Sequence, residues 1–328
     1  MNKIIPALLC IMLLCSHDMF LKLDQYHLQP NTVSIIKLFN GTYEDSENVI
    51  DRDRMLQVIV MGNGKEIKVD STDWYEKDLA THLKFKTGAP ATYVAGVSTA
   101  ARNIEMEATR FNSYLERDGV VDMLEYRKNE GKLEEDAVEK YSKHVKTIYQ
   151  VGDNLTGDYG KVLGFPIEFI PLQNPYQLKQ GDDLVVKLLS NSKPLADQLV
   201  ISGLDTGEVH EHEHKGDKTH THDNGEQIRT DNRGNLTLKL DEKGIYHLRT
   251  IHMVESSEEG LTHESNWATL TFSVGKKFTY DHTHNHEDGE HAHDPEFPSV
   301  IFWIASIVVI AILYFYFNRK RKNEADNQ

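Results

Sequence analysis

The chain has 328 residues, of which 39% are hydrophobic and 27% charged, with a formal net charge of -15 at pH 7. This length can hold two domains plus appendages, and the composition suits a folded protein with some solvated segments. The negative balance argues against nucleic acid as a partner, because recognising phosphate needs a basic surface.

The N-terminus carries Lys3 and then the apolar run IIPALLCIMLLC, turning polar at Ser16. That is a short basic region and a hydrophobic stretch too brief for a membrane span, so residues 1–16 read as a secretory signal peptide. Both cysteines, Cys10 and Cys15, lie inside it. The remaining chain then has no thiols, which excludes disulfides and Cys-ligated zinc and leaves His, carboxylate, Met and backbone groups as metal donors.

Residues 17–162 read as an N-terminal β-rich domain. Apolar-rich runs at 19–23, 32–38, 55–61, 83–86 and 92–97 are separated by the turn segments Gln29-Pro30-Asn31, Gly62-Asn63-Gly64 and Gly88-Ala89-Pro90. A helical insertion is expected over about 109–150. Phe111 and Leu115 share a helical face that stops at Gly119, and Ala137, Tyr141, Val145 and Ile148 recur at helical spacing after Glu134-Glu135-Asp136. The charges of this insertion read as a solvated helix face. Residues 163–275 return to strands, at 166–171, 183–189, 198–202, 227–230, 236–240, 245–253 and 267–274, which suggests an immunoglobulin-like sandwich without its disulfide.

Residues 276–298 form a polar linker. Residues 300–317, VIFWIASIVVIAILYFYF, are uncharged and mostly apolar, and counting from Phe297 gives a stretch long enough to cross a hydrocarbon core. Trp303, Tyr314 and Tyr316 fall where aromatic anchors are expected, and Arg319-Lys320-Arg321-Lys322 follows at once. A transmembrane helix over 299–317 therefore leaves a cytoplasmic tail at 318–328 and puts everything earlier outside. The expected fold is mainly β: two immunoglobulin-like β-sandwich domains, the first with a helical insertion, plus one C-terminal transmembrane helix.

Histidine supplies the chemistry. His210, His212, His214, His220 and His222 lie in one tract, HEHEHKGDKTHTH, and His282, His284, His286, His291 and His293 in a second, HTHNHEDGEHAH. Together they account for ten of the seventeen histidines. In an extended chain His210, His212 and His214 project on one side, about 7 Å apart, and Lys215-Gly216-Asp217-Lys218 lets the chain fold back. Imidazole suits zinc, copper, iron and nickel, whereas calcium and magnesium prefer all-oxygen sites, so the metal's identity stays open among nickel, copper and zinc. A solvated loop tolerant of histidine and a pH-responsive loop are the competing readings.

Three further histidines are candidates for an ordered site. His252 and His263 lie near Glu255 at one end of the second sandwich, and His17 would become the first residue after cleavage, offering its amino group and ring to one ion. His210-Glu211-His212-Glu213-His214 matches HExxH, but the motif needs a helix and nothing around it reads as one. No other catalytic pattern is present, so no enzymatic activity is expected.

His17-Asp18-Met19-Phe20, Asp70-Ser71-Thr72-Asp73-Trp74, Gly164-Phe165-Pro166-Ile167-Glu168 and Gly181-Asp182 resemble one bacterial family, as do Ile228-Arg229-Thr230-Asp231, residues 244–253 and residues 264–270. The family is a domain of unknown function described as the periplasmic component of nickel or cobalt uptake systems. The resemblance implies a periplasmic metal-binding role and an immunoglobulin-like C-terminal part; with the helix expected over 299–317, the protein would be tethered to the inner membrane, with metal transporter membrane subunits as inferred partners. A periplasmic metal buffer or resistance factor, and a structural or adhesive surface protein, are the alternatives.

Overall fold

The computed structural model describes residues 18–207 and 225–275. The expected signal peptide, His17, both histidine tracts, the expected linker and the apolar segment at 299–317 lie outside the described residues. Among the described residues no helix is long and apolar enough to cross a membrane.

The chain is mainly β. Its first half forms strands β1 (Asp18–Lys22), β2 (His27–Leu28), β3 (Val33–Gly41), β4 (Met55–Gly62), β5 (Lys65–Glu66), β6 (Tyr75–Lys77), β7 (Ala80–Lys86), β8 (Ala91–Thr99) and β9 (Arg102–Met106), then helices α1 (Ala108–Arg117) and α2 (Val121–Asn129). There follow β10 (Ala137–Val151), β11 (Ile167–Pro171), β12 (Asp183–Ser190), β13 (Lys193–Pro194), β14 (Leu199–Asp205), β15 (Glu226–Arg229), β16 (Asn235–Lys239), β17 (Gly244–Glu255) and β18 (His263–Val274). Every strand expected from alternation and turn residues is present.

The two halves share one central sheet, in the order β15-β14-β17-β18-β10-β8-β4-β5, with β2 and β9 also pairing β10. Strands β10 and β18 join the halves in parallel, from Glu139 opposite His263 to Thr147 opposite Thr271. The boundary expected near residue 162 therefore does not separate two sandwiches. A small sheet, β1-β3-β7-β6, covers part of one face, with Leu21, Ile36, Leu38 and Leu83 meeting Val60, Tyr93, Val145 and Tyr149. The two helices cover another part of that face through Phe111, Leu115, Ile251 and Trp267. The third sheet, built from β11, β12, β13 and β16, covers the opposite face, packing Phe169, Val186, Leu188 and Leu238 against Ile148, Leu248, Leu270 and Phe272.

The helical insertion is half of what its spacing predicts. Helix α1 ends as expected at Gly119, whose φ of 77° closes a Schellman motif: Val120 N–H donates to the Leu115 carbonyl at 2.8 Å and Gly119 N–H to that of Glu116 at 3.4 Å. Residues 137–151 are a strand. Both faces of β10 are buried over most of its length, so its apolar residues lack the clean alternation of a half-exposed strand, and Ala137, Tyr141, Val145 and Ile148 fall at helical spacing by coincidence. Asp136, expected at a helix start, instead accepts a hydrogen bond from Ala108 N–H at 2.9 Å and so caps α1. The charges of β10 are correspondingly not a solvated face: Glu139, Lys143 and Lys146 are all buried.

Candidate functional site

His252 and His263 come from neighbouring antiparallel strands, but the register sets them apart. His252 lies opposite Asn266 and His263 opposite Glu255, an odd offset of three positions that sends the two rings to opposite faces of the sheet. One ion cannot be held by both. His252 Nδ1 lies 3.0 Å from Gln198 Oε1, while the Gln198 amide donates to Thr250 Oγ1 and the Ile251 carbonyl. His263 Nδ1 lies 2.6 Å from Thr262 Oγ1, and its ring centroid is 4.7 Å from that of Phe111. Burial, reinforced by the Arg127 charge, pushes the His263 imidazole down to about 4. Glu255 shares His263's face, but its carboxylate accepts from Lys132 Nζ at 2.5 Å and Tyr126 OH at 2.6 Å. Among the described residues no three His, Cys, Asp or Glu side chains gather into a group able to hold a metal ion.

The first histidine tract is inserted between β14 and β15, at one edge of the central sheet. These strands pair from Leu199 opposite Arg229 to Ser202 opposite Glu226, so both ends of the insertion are fixed side by side. Arg229 also reaches Asp122 of α2 with two bonds, at 2.6 and 3.0 Å. The remaining histidines of the framework are structural. The His247 ring stacks on Tyr43 with centroids 4.0 Å apart, His82 Nδ1 meets Tyr75 OH at 3.2 Å, and His144 lies between Ser98, Ser142 and Asn266.

Sequence reasoning missed a buried polar seam between the helices, the small sheet and the central sheet. Asp18 opens β1 and lies 3.4 Å from Arg249 Nε of β17, and Arg249 also donates to the backbone carbonyl of Asp118 at 3.3 Å. Lys143 of β10 donates to Asn40 Oδ1 of β3 at 2.9 Å, with its ammonium 5.3 Å from the centroid of the Trp267 ring. Glu139 accepts hydrogen bonds from Tyr114 OH at 3.2 Å and from Ser265 Oγ. Arg54 stacks over Tyr141 at 5.2 Å.

Burial dominates the electrostatics here, because low dielectric penalises the charged form of each group. It pushes the Glu139 carboxyl up to about 7 against the hydrogen bonds that favour its anion. Asp118 rises to about 7 as well, from burial and then from repulsion by Asp18. Lys143 falls to about 8 through burial, although Asp18 opposes the shift. The seam thus combines two carboxyls that burial raises, Glu139 and Asp118, and an amine that burial lowers, Lys143, with an amide held against that amine. Its members run from Asp18 to Trp267, so no local motif announces them.

No curated protein matches the chain. Among solved structures, the D0-D1 domain of Intimin is 11% identical, with 78% of this chain and 97% of that one covered and a TM-score of 0.17. A trypsin-activated alpha-2-macroglobulin from Escherichia coli is 9% identical over 79% of this chain and 16% of its own length, at 0.21. Tandem Ig repeats of Dlar are 9% identical over 79% and 96%, at 0.15. Scores of this size carry no structural argument. Residues 14–254 match a family model over most of the chain, and the protein belongs to the family described as a domain of unknown function, DUF4198.

Proposed function

We propose that this protein binds a divalent transition metal, nickel or cobalt first and zinc or copper next, outside the cytoplasmic membrane. The donors are the histidines of residues 210–222 and 282–293, and His17 is a further candidate. The protein serves as an accessory substrate-binding component of metal uptake, immunoglobulin-like in its C-terminal half and tethered by the apolar segment at 299–317. The observation that carries this reading is the placement of the first tract. Five histidines and several carboxylates occupy an insertion whose ends are pinned in register at a sheet edge. An insertion with fixed ends brings donors together at a smaller entropic cost than a free tail does.

Calorimetric titration of the purified protein with nickel, cobalt and zinc at neutral pH tests the reading. Stoichiometric binding that is lost on deleting residues 210–222 supports it, and no heat with any of the three ions refutes it. Deleting the gene then separates uptake from buffering: an uptake component leaves cells metal-starved, whereas a buffer leaves them metal-sensitive.

A further inference from the structure

We propose that Lys143 and Asn40 join in an intramolecular isopeptide bond that links the small sheet covalently to the central sheet. Lys143 Nζ lies 2.9 Å from Asn40 Oδ1, so with a carbonyl bond of about 1.2 Å the amine is within about 4 Å of the Asn40 carbonyl carbon. That is close to the separation of a near-attack arrangement, about 3–3.5 Å.

Both partners are held. Asn40 ends the inward row of β3. Its backbone N–H donates to Ser46 Oγ at 3.0 Å, and its carbonyl accepts from Glu47 and Asn48 at 3.0 and 3.2 Å. Lys143 sits within the central sheet opposite Trp267, and its backbone N–H donates to Thr99 Oγ1 at 2.9 Å. Both side chains are buried, which keeps bulk water away from the acyl carbon. The lowered affinity of Lys143 for its proton, from burial, raises the share of neutral amine able to attack.

Asp18 is the charge that acts most strongly on Lys143. It is itself buried, and it pairs in register with Gly41, next to the reacting amide. In the proposed reaction the neutral Nζ attacks Asn40 Cγ and forms a C–N bond. Asp18 accepts a proton from Nζ and returns it to Nδ2, the Cγ–Nδ2 bond breaks, and the nitrogen leaves as ammonia. A primary amine and a primary amide thus become a secondary amide and ammonia, with no oxidant or co-reactant. Neither cysteine lies beyond residue 15, so no disulfide can link these layers.

Proteolytic peptide mapping of the purified full chain by mass spectrometry tests this. The expected result is a cross-linked pair carrying Asn40 and Lys143, lighter by one ammonia than the two peptides together, with trypsin failing to cut after Lys143. Recovery of the two peptides unlinked from the wild-type chain overturns the proposal, whatever the variants do. Asp18→Asn is expected to leave the peptides linear in a protein that still melts cooperatively. Linkage at the wild-type extent in that variant overturns Asp18 as the proton carrier.

Discussion

Lys143 and Lys146 stand three residues apart on one strand and point into opposite layers of the molecule. Lys146 is fully buried, and its ammonium donates at 3.0 Å to Glu168 Oε2, the Lys161 carbonyl and the Phe169 carbonyl, using all three of its protons. Glu168 in turn accepts from Leu163 N–H and Gly164 N–H, each at 3.0 Å. That local set ties residues 161–169 to β10 and gives a structural reason for the Gly164-Phe165-Pro166-Ile167-Glu168 motif. Lys143 instead sits among charges from several distant segments, and the shifts of Glu139, Asp118 and Lys143 all disfavour the charged form. One lysine is a satisfied staple; the other belongs to a seam kept near the edge of ionisation.

The largest expected effect comes from breaking the staple. Glu168→Ala leaves a buried ammonium without its counter-charge, which costs about 3–5 kcal/mol. Denaturant unfolding should show the loss as a lower midpoint. Replacing both partners, Lys146→Met with Glu168→Leu, should recover most of it, because neither charge then remains to be desolvated. A double variant as unstable as Glu168→Ala would mean that the backbone hydrogen bonds, not the ion pair, hold the segment.

The seam should respond in the opposite sense. Glu139 holds its proton up to about 7 in the folded chain against an ordinary value of 4.5. Its contribution is present below about pH 4.5 and is lost as pH rises through 7. Glu139→Gln keeps an acceptor for Tyr114 and Ser265 but cannot ionise. It is expected to raise stability at pH 8 relative to wild type by on the order of 3 kcal/mol and to be nearly neutral at pH 4.5. Melting curves at the two pH values check the sign, and a variant destabilised at pH 8 would show that the anion is the favoured form.

The same contrast explains what could be read before folding. Strands with one exposed face, such as 236–240, announce themselves by alternation, and Gly119 announces the end of α1 by its position after a helical face. Strand β10 hides because it is covered on both sides, so periodicity cannot distinguish it from a helix. His252 and His263 suggest a shared site by closeness in sequence, yet pairing in an antiparallel register puts them on opposite faces, which only the strand alignment reveals. The seam is illegible for a simpler reason: its charges are distant in sequence and meet only when three layers close on one another.

His263 gives a smaller effect of opposite pH sense to Glu139. Its folded value of about 4 lies below the ordinary 6.5, so the stability tied to its neutral ring is present above pH 6.5 and is lost as pH falls toward 4. His263→Phe, which keeps a ring against Phe111, should remove about 1 kcal/mol of acid sensitivity between pH 6.5 and 5. Thermal melts at those two pH values measure it.

The smallest effect belongs to an exposed pair at the far end of the β14–β15 ladder from the first histidine tract. Arg229 holds Asp122 with two hydrogen bonds, but both side chains remain open to solvent, 39% and 59% exposed. Water screens the attraction and the long arginine loses rotamer freedom, so Arg229→Ala should cost no more than about 1 kcal/mol, even with its further bond to the Asp197 carbonyl lost. Denaturant unfolding in low and high salt is the check, and the gap between variant and wild type should shrink with salt. A loss comparable to that of Glu168→Ala would show that the β14–β15 edge depends on α2 for its pairing. Edge and helix would then fold as one unit, and the ends of the tract would be fixed by a third element as well as by each other.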